Sequence, residues 1–440
     1  MNNNIRRRNT RLDKLAAWRC WLAGLLFWLS FNTAVLGEET APQEAVLTRA
    51  RPELTPIGAK VGGFRFYPTL AYKGLYDDNI FATQNDKQSS LISEYSLETS
   101  LRSNWPNHQL NLLAGTDIRR HSDFSSEDHE NWKISTDGKL DISRDSQLYA
   151  GGDIKLDHVD RTSPDDADGV VPTQFKETNV FGRYTFQLQR FHIGLNTNLT
   201  KKDYDDVPGI VNGVNVTINQ DDRDRTEHAV GLRVGYEVLS SQDQIFIVLT
   251  GNRREYDELQ ALLNADRSSE GYEALIGLAL DSGGVTFGNL SAGYHVQDYK
   301  DPFPDIRAPA FDASLNWNAT TLTSVSVDIH RSIIEATGIF FSGYISTNSL
   351  VTVDHELRRN LLMKLAFKYT TDDYESIGPA ERSDSTHDAL VGATYMINRY
   401  IHVSMEYHNI QRQSTNNIPT SNNSNEFEKN IVFIQLQGQL

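Results

Sequence analysis

The chain has a single cysteine among its 440 residues, Cys20. No disulfide can form within it, and zinc or iron–sulfur sites built from several thiolates are excluded. Long apolar runs are missing after Leu36: no later stretch approaches the roughly 20 apolar residues of a spanning helix, which excludes a helical inner-membrane protein. Low hydropathy leaves a membrane barrel open, because half of every barrel strand is polar. Basic residues are in deficit, 42 Lys and Arg against 58 Asp and Glu, and an acidic surface argues against a nucleic-acid partner.

The first residues set the compartment. Arg6, Arg7, Arg8, Arg11, Lys14 and Arg19 form a basic start, residues 21–29 are apolar, and Val35-Leu36-Gly37 is a compact cleavage context before Glu38. This predicts a secretory signal peptide over 1–37. Ser30, Asn32 and Thr33 interrupt the apolar run too early for an uncleaved anchor. Cys20 lies inside the signal, so the mature chain is expected to have no thiol. Losing a segment of net charge +5 takes the formal charge from −16 to −21. Residues 38–62, with Pro42, Pro52 and Pro56, read as a flexible periplasmic lead-in.

From residue 63 to 440 apolar and polar residues alternate in about 18 stretches, the period of a strand with one lipid-ready and one wet face. Val230, Leu232, Val234, Tyr236 and Val238 share one side, and Ala229, Gly231, Arg233, Gly235 and Glu237 the other. The expected strands are 63–76, 91–104, 109–121, 131–143, 147–158, 175–188, 190–202, 227–239, 244–256, 270–281, 285–299, 309–318, 322–334, 343–357, 361–374, 388–397, 400–411 and 426–440. Connections alternate between tight turns, such as Trp105-Pro106-Asn107-His108 and Asn398-Arg399, and long acidic loops, such as 160–168 and 203–225. The pattern predicts an all-β fold: a transmembrane antiparallel up-and-down β-barrel over 63–440, with both ends on the periplasmic side of the cell outer membrane. A soluble β-sandwich is the rival, but charges recur on the non-apolar face of nearly every strand. Barrels of sixteen to eighteen strands leave an aqueous channel, so a pore is expected.

The functional surface of a pore is its lining. The inward candidates are Arg102, Arg119, Lys139, Lys155, Arg183, Arg233, Glu237, Lys364, Lys368 and Glu406. Arg102, Arg119, Lys139, Lys155 and Arg183 lie on five neighbouring strands, an arrangement open to two readings: a basic track for an anionic chain, or solvated residues with no individual role. Asp165, Asp166 and Asp168 cluster in one loop, but the twelve-residue calcium pattern is absent, and no metal or cofactor is predicted. Catalysis finds little support. Leu290-Ser291-Ala292-Gly293 lacks the first glycine of a nucleophile elbow and lies within a strand, and the spacing of His121 and His129 matches no helical metal motif.

The segments Phe64-Arg65-Phe66-Tyr67-Pro68-Thr69-Leu70, Tyr76-Asp77-Asp78-Asn79-Ile80-Phe81, Leu101-Arg102-Ser103-Asn104-Trp105 and Leu140-Asp141-Ile142-Ser143-Arg144-Asp145, with the closing stretches 407–412 and 428–436, resemble the Putative beta-barrel porin-2 family. The resemblance covers essentially the whole mature chain. It implies an outer-membrane barrel of exopolysaccharide or capsule gene clusters: a conduit for a polysaccharide, embedded among outer-membrane lipids and working with a periplasmic polysaccharide-export protein. The alternatives are a passive diffusion porin for small solutes and a structural or adhesive surface barrel. One departure is the final residue, Leu440, where an aromatic is more usual. For a conduit wide enough for a polymer, the loops or the 38–62 segment are expected to fold inward and hold it shut.

Overall fold

The computed structural model describes residues 45–440 apart from 168, 212, 239–242, 261, 379–380 and 417–424. Eighteen strands form the wall: β1 (Phe64–Asp77), β2 (Ser90–Ser103), β3 (Gln109–His121), β4 (His129–Ser143), β5 (Ser146–His158), β6 (Gln174–Leu188), β7 (Phe191–Tyr204), β8 (Arg225–Glu237) and β9 (Gln244–Tyr256) make the first half. The second half is β10 (Ser269–Asp281), β11 (Thr286–Tyr299), β12 (Ile306–Thr320), β13 (Thr323–Glu335), β14 (Phe341–Arg358), β15 (Leu361–Ser376), β16 (Arg382–Met396), β17 (Ile401–Asn416) and β18 (Phe427–Gln439). Each pairs antiparallel with the next. β1 closes on β18, from Thr69 opposite Gln439 to Asp77 opposite Ile431. The expected barrel is therefore the observed one, and closure leaves no long sheet edge in lipid.

Alternation decides which side chains meet the membrane. Val230, Leu232 and Tyr236 of β8 are exposed on the outer surface, while Arg225, Glu227 and Ala229 are buried on the inner one. Exposed aromatics gather in two belts: Tyr184, Phe191, Tyr236, Trp317 and Tyr395 near the short-turn end, and Tyr76, Tyr95, Trp132, Tyr272 and Tyr294 nearer the long-loop end. Such girdles mark the two membrane–water interfaces, and the short turns mark the periplasmic side. Among the described residues no helix is long and apolar enough to cross a membrane, which concerns helices alone.

Two elements add to the predicted strands. Ala59–Val61 folds back on β1 through Gly62, whose φ of +58° is readily adopted only without a side chain. The long β7–β8 connection, read as an acidic loop, contains a hairpin, Val207–Val211 against Val214–Ile218. Alternation in five-residue runs is too short to distinguish from loop sequence.

Candidate functional site

All ten predicted lining residues sit at inward positions of the register. Most are committed to partners. Arg119 binds Glu94 through Nε (3.0 Å) and Nη2 (2.7 Å), and Lys73 approaches the same carboxylate at 2.9 Å. Lys155 lies 3.5 Å from both Glu177 and Asp157, and Lys139 lies 3.7 Å from Asp141. Arg183 Nε donates to Asn196 at 2.8 Å, and Arg102 rests 5.0 Å from the centre of the Tyr67 ring. Arg233 stacks 4.1 Å from the Phe246 ring, and Glu237 is 2.6 Å from His192 Nε2. Lys364 and Glu406 both stand opposite Gly392, from β15 and β17, Lys368 is level with Asp388, and His408 lies 3.2 Å from Glu406. Three of the five residues of the basic track are thus ion-paired, so the inner wall carries alternating charge instead of a bare cationic stripe. Lys133 and Lys139 keep 39% and 33% of their side-chain surface accessible, which requires water-accessible space inside the wall.

Both ends of that space are obstructed. At the periplasmic end, residues 45–58 of the expected lead-in are seated against the inner wall. Val46 is fully buried in a cluster with Leu362 and Met396, joined by Leu47 and Leu54. Its N–H donates to Ser324 Oγ at 2.7 Å, and Arg51 Nη2 reaches Val46 O (2.9 Å) and Glu356 (2.7 Å). Arg49 caps the Thr321 carbonyl, and Glu53 pairs with Arg359 at the rim. A charge this buried is tolerated because both Arg51 and Glu356 find each other in the same dry pocket.

At the extracellular end, residues 160–166 of the connection between β5 and β6 turn inward. Arg161 anchors them: Nε and Nη2 form a fork on Glu127 (3.0 and 2.8 Å), and Nη1 holds Asp166 at 3.0 Å. Burial disfavours the Arg161 cation, but these carboxylates outweigh it and push its pKa up. Asp160 accepts from the Thr162 N–H and hydroxyl at 2.8 and 2.7 Å. Burial pushes the Asp160 carboxyl up, yet Lys429 and the Thr162 donors hold it well below the usual carboxylate range. From this base the loop crosses the mouth. Asp165 accepts from Thr337, and the Thr162 carbonyl accepts from Arg412 Nη2 at 2.6 Å.

Asp165 and Asp166 are engaged by Thr337 and Arg161, and Asp168 lies outside the described residues. His129 is brought 3.6 Å from the His158 ring, with His121 6.3 Å away, but its Nδ1–H donates to the Glu127 carbonyl. Among the described residues no His, Cys, Asp or Glu cluster is arranged to hold a metal. Ser291 is in mid-strand on β11, 3.5 Å from the Asp312 carbonyl. Sequence reasoning missed Arg51 and Arg161, and weighed Asp165 only as part of an acidic cluster. The apolar Val46-Leu47 pair in a proline-rich stretch is the one local sign that the lead-in docks; Arg161 acts on its own and a neighbouring loop, and Asp165 acts across the bore, where spacing has no bearing.

The model of the family described as Putative beta-barrel porin 2 matches residues 51–440. The chain belongs to this family. It is accordingly an outer-membrane β-barrel of the porin type, a channel by family and fold. Solved barrels similar to this porin-2 chain include OpdK of Pseudomonas aeruginosa with vanillate (10% identity, 85% of this chain and 99% of that one, TM-score 0.44). OccK2 (OpdF) of Pseudomonas aeruginosa (9%, 86% and 98%, 0.46) and the copper transporter OprC (9%, 87% and 81%, 0.48) are others. At such identities the likeness concerns the barrel architecture. No curated protein matches the chain in sequence.

Proposed function

We propose that this porin-2 barrel is a normally closed outer-membrane conduit for export of an exopolysaccharide or capsular polysaccharide. The observation that carries the closed state is the double obstruction, by residues 45–58 at one mouth and 160–166 at the other. An eighteen-strand bore left open would leak small solutes, which a polymer conduit must prevent when idle. The lining suits a glycan: inward aromatics such as Tyr149 and Phe181, with ring centres 5.5 Å apart, alternate with amide and charged groups that hydrogen-bond hydroxyls. The resemblance to barrels of exopolysaccharide gene clusters supports the cargo. Deletion of the gene tests it: polysaccharide should accumulate in the periplasm and disappear from the surface. An unchanged surface layer sinks the export reading.

A passive porin for small polar solutes is the second reading. The mixed-sign pairs between neighbouring strands of the inner wall favour it, since a lining of both charges sorts small ions and dipoles. It requires the purified protein to conduct at once, and its deletion to slow growth on a limiting solute.

A further inference from the structure

At the extracellular end the wall does not meet edge to edge. β12 pairs with β11 from Ile306 onward, but its ladder with β13 starts only at Asp312 opposite His330. Residues 306–311 and 331–335, all of them described, share no rung. Pro309 lies in this unpaired half, where a strand tolerates a residue without an N–H. β13 keeps its other neighbour, pairing with β14 up to Glu335 opposite Gly343.

Alternation reveals where the free end of this hairpin goes. Lower down, Val325, Val327 and Ile329 of β13 and Val351 and Val353 of β14 face outward, so Ile333, Glu335, Gly343 and Ile345 belong to the same face. Yet Ile333 and Ile345 are buried in one cluster with Tyr299, Ile306 and Ala308, which point inward from β11 and β12. An outward face meets an inward face only if the hairpin end lies inside the wall. Residues 331–347 therefore tuck into the mouth behind β9 to β12. Glu335, 6% exposed, accepts from the Tyr256 and Tyr299 hydroxyls at 2.9 Å each and from the Arg254 guanidinium. Arg267 holds the tip by the carbonyls of Ala336, Thr337 and Gly338 at 3.1, 3.3 and 2.7 Å. Gly343 makes the fit possible: a Cβ there would lie 2.8 Å from the Tyr299 hydroxyl and 3.1 Å from Ile306 Cδ1.

We propose that this inward-folded end of the β13–β14 hairpin is the extracellular gate and that Glu335 is its latch. Opening is an outward swing that frees the mouth and lets 331–335 zip onto the bare edge of 306–311, exchanging side-chain locks for ladder hydrogen bonds. Two packings built from the same residues are what a switch needs. The inference rests on the channel reading above and adds the moving part.

The test is the rate at which an impermeant maleimide, added outside intact cells, labels a cysteine replacing Arg183 deep in the lumen. In the full-length chain Glu335→Gln and Gly343→Val should each raise that rate about tenfold or more, since a charged partner in a buried network contributes more than a factor of ten. Heat-modifiable migration on gels reports assembly. If either variant fails to assemble, Tyr299→Phe, which removes one donor to Glu335, should raise the rate in the same direction. An unchanged rate in the assembled variants, with Arg161→Ala raising it, overturns the gate and leaves the channel. No labelling in any variant, including chains lacking residues 45–58, removes the channel reading and the gate with it.

Discussion

Asp165 Oδ1 accepts from both the backbone N–H and the hydroxyl of Thr337, at 3.2 and 3.0 Å, and so ties together two parts of the wall eight strands apart. In a ring of eighteen that is nearly a full diameter. A short polar side chain reaches so far only because residues 160–166 and the tip of the β13–β14 hairpin both leave the wall and meet over the bore. The extracellular mouth is therefore spanned by side-chain contacts across the lumen, which can be released without disturbing the ladder that holds the barrel in the membrane.

Releasing the loop should open that mouth. Arg161→Ala leaves Glu127 and Asp166 without their shared cation and should increase single-channel conductance in planar bilayers, while the barrel migrates normally in heat-modifiability gels. Acid should act in the same direction through Asp160. Its folded pKa lies below the unfolded value, so its stabilisation of the loop is complete at neutral pH and is lost as pH falls through the folded value. Conductance should be flat between neutral and mildly acid pH and rise only in strong acid. A rise between pH 7 and 6 would assign the effect to another group.

At the other mouth, Arg51→Ala strands Glu356 in a buried site, and breaking a pair of this kind costs about 3–5 kcal/mol. Residues 45–58 should detach and become cleavable by protease added to the periplasmic side. The double change Arg51→Met with Glu356→Leu should restore protection, because the site then needs no charge. Equal protection in the wild type and Arg51→Ala would mean that the apolar contacts of Val46 suffice.

The wall itself has a sharp inside–outside phase at Arg233 and Val234. Val234→Arg should impair assembly, at roughly 2–4 kcal/mol for a cation near the bilayer midplane. Arg233→Val, one residue away on the lumen side where Arg233 stacks on Phe246, should assemble and alter conductance. Urea unfolding in lipid vesicles compares the two directly; similar losses at both positions would contradict the phase.

Sidedness follows from the long and short connections. A cysteine at Leu262, 75% exposed in the β9–β10 loop, should label from outside intact cells, and one at the exposed Asn107 in the β2–β3 turn should not. Asp166 lies on the outer side by the same logic but is a poor reporter, since Arg161 buries it. The reverse pattern of labelling would invert the barrel.

The wall was legible in the sequence because it is made of local information. Strand period, turn chemistry and connection length are properties of contiguous residues, and lipid enforces them, since a charge outward or an unpaired backbone group costs too much. That is why Val230 to Val238 could be oriented from alternation alone and why all ten lining candidates point inward. What those residues do could not be read in the same way. Arg102, Arg119, Lys139, Lys155 and Arg183 have the spacing of a basic track, but Glu94 and Glu177, brought level by register, pair with Arg119 and Lys155, and Asp141, two residues along the same strand, pairs with Lys139. The closures are further still from local pattern. Arg51 meets Glu356 across 305 positions and Arg412 meets Thr162 across 250, and nothing in either neighbourhood encodes the other. Sequence alone determined a barrel, its phase and its compartment. Only the folded chain decided which segments lie across the two mouths, because the contacts that hold them join distant residues that become neighbours once the wall has curved round to meet itself.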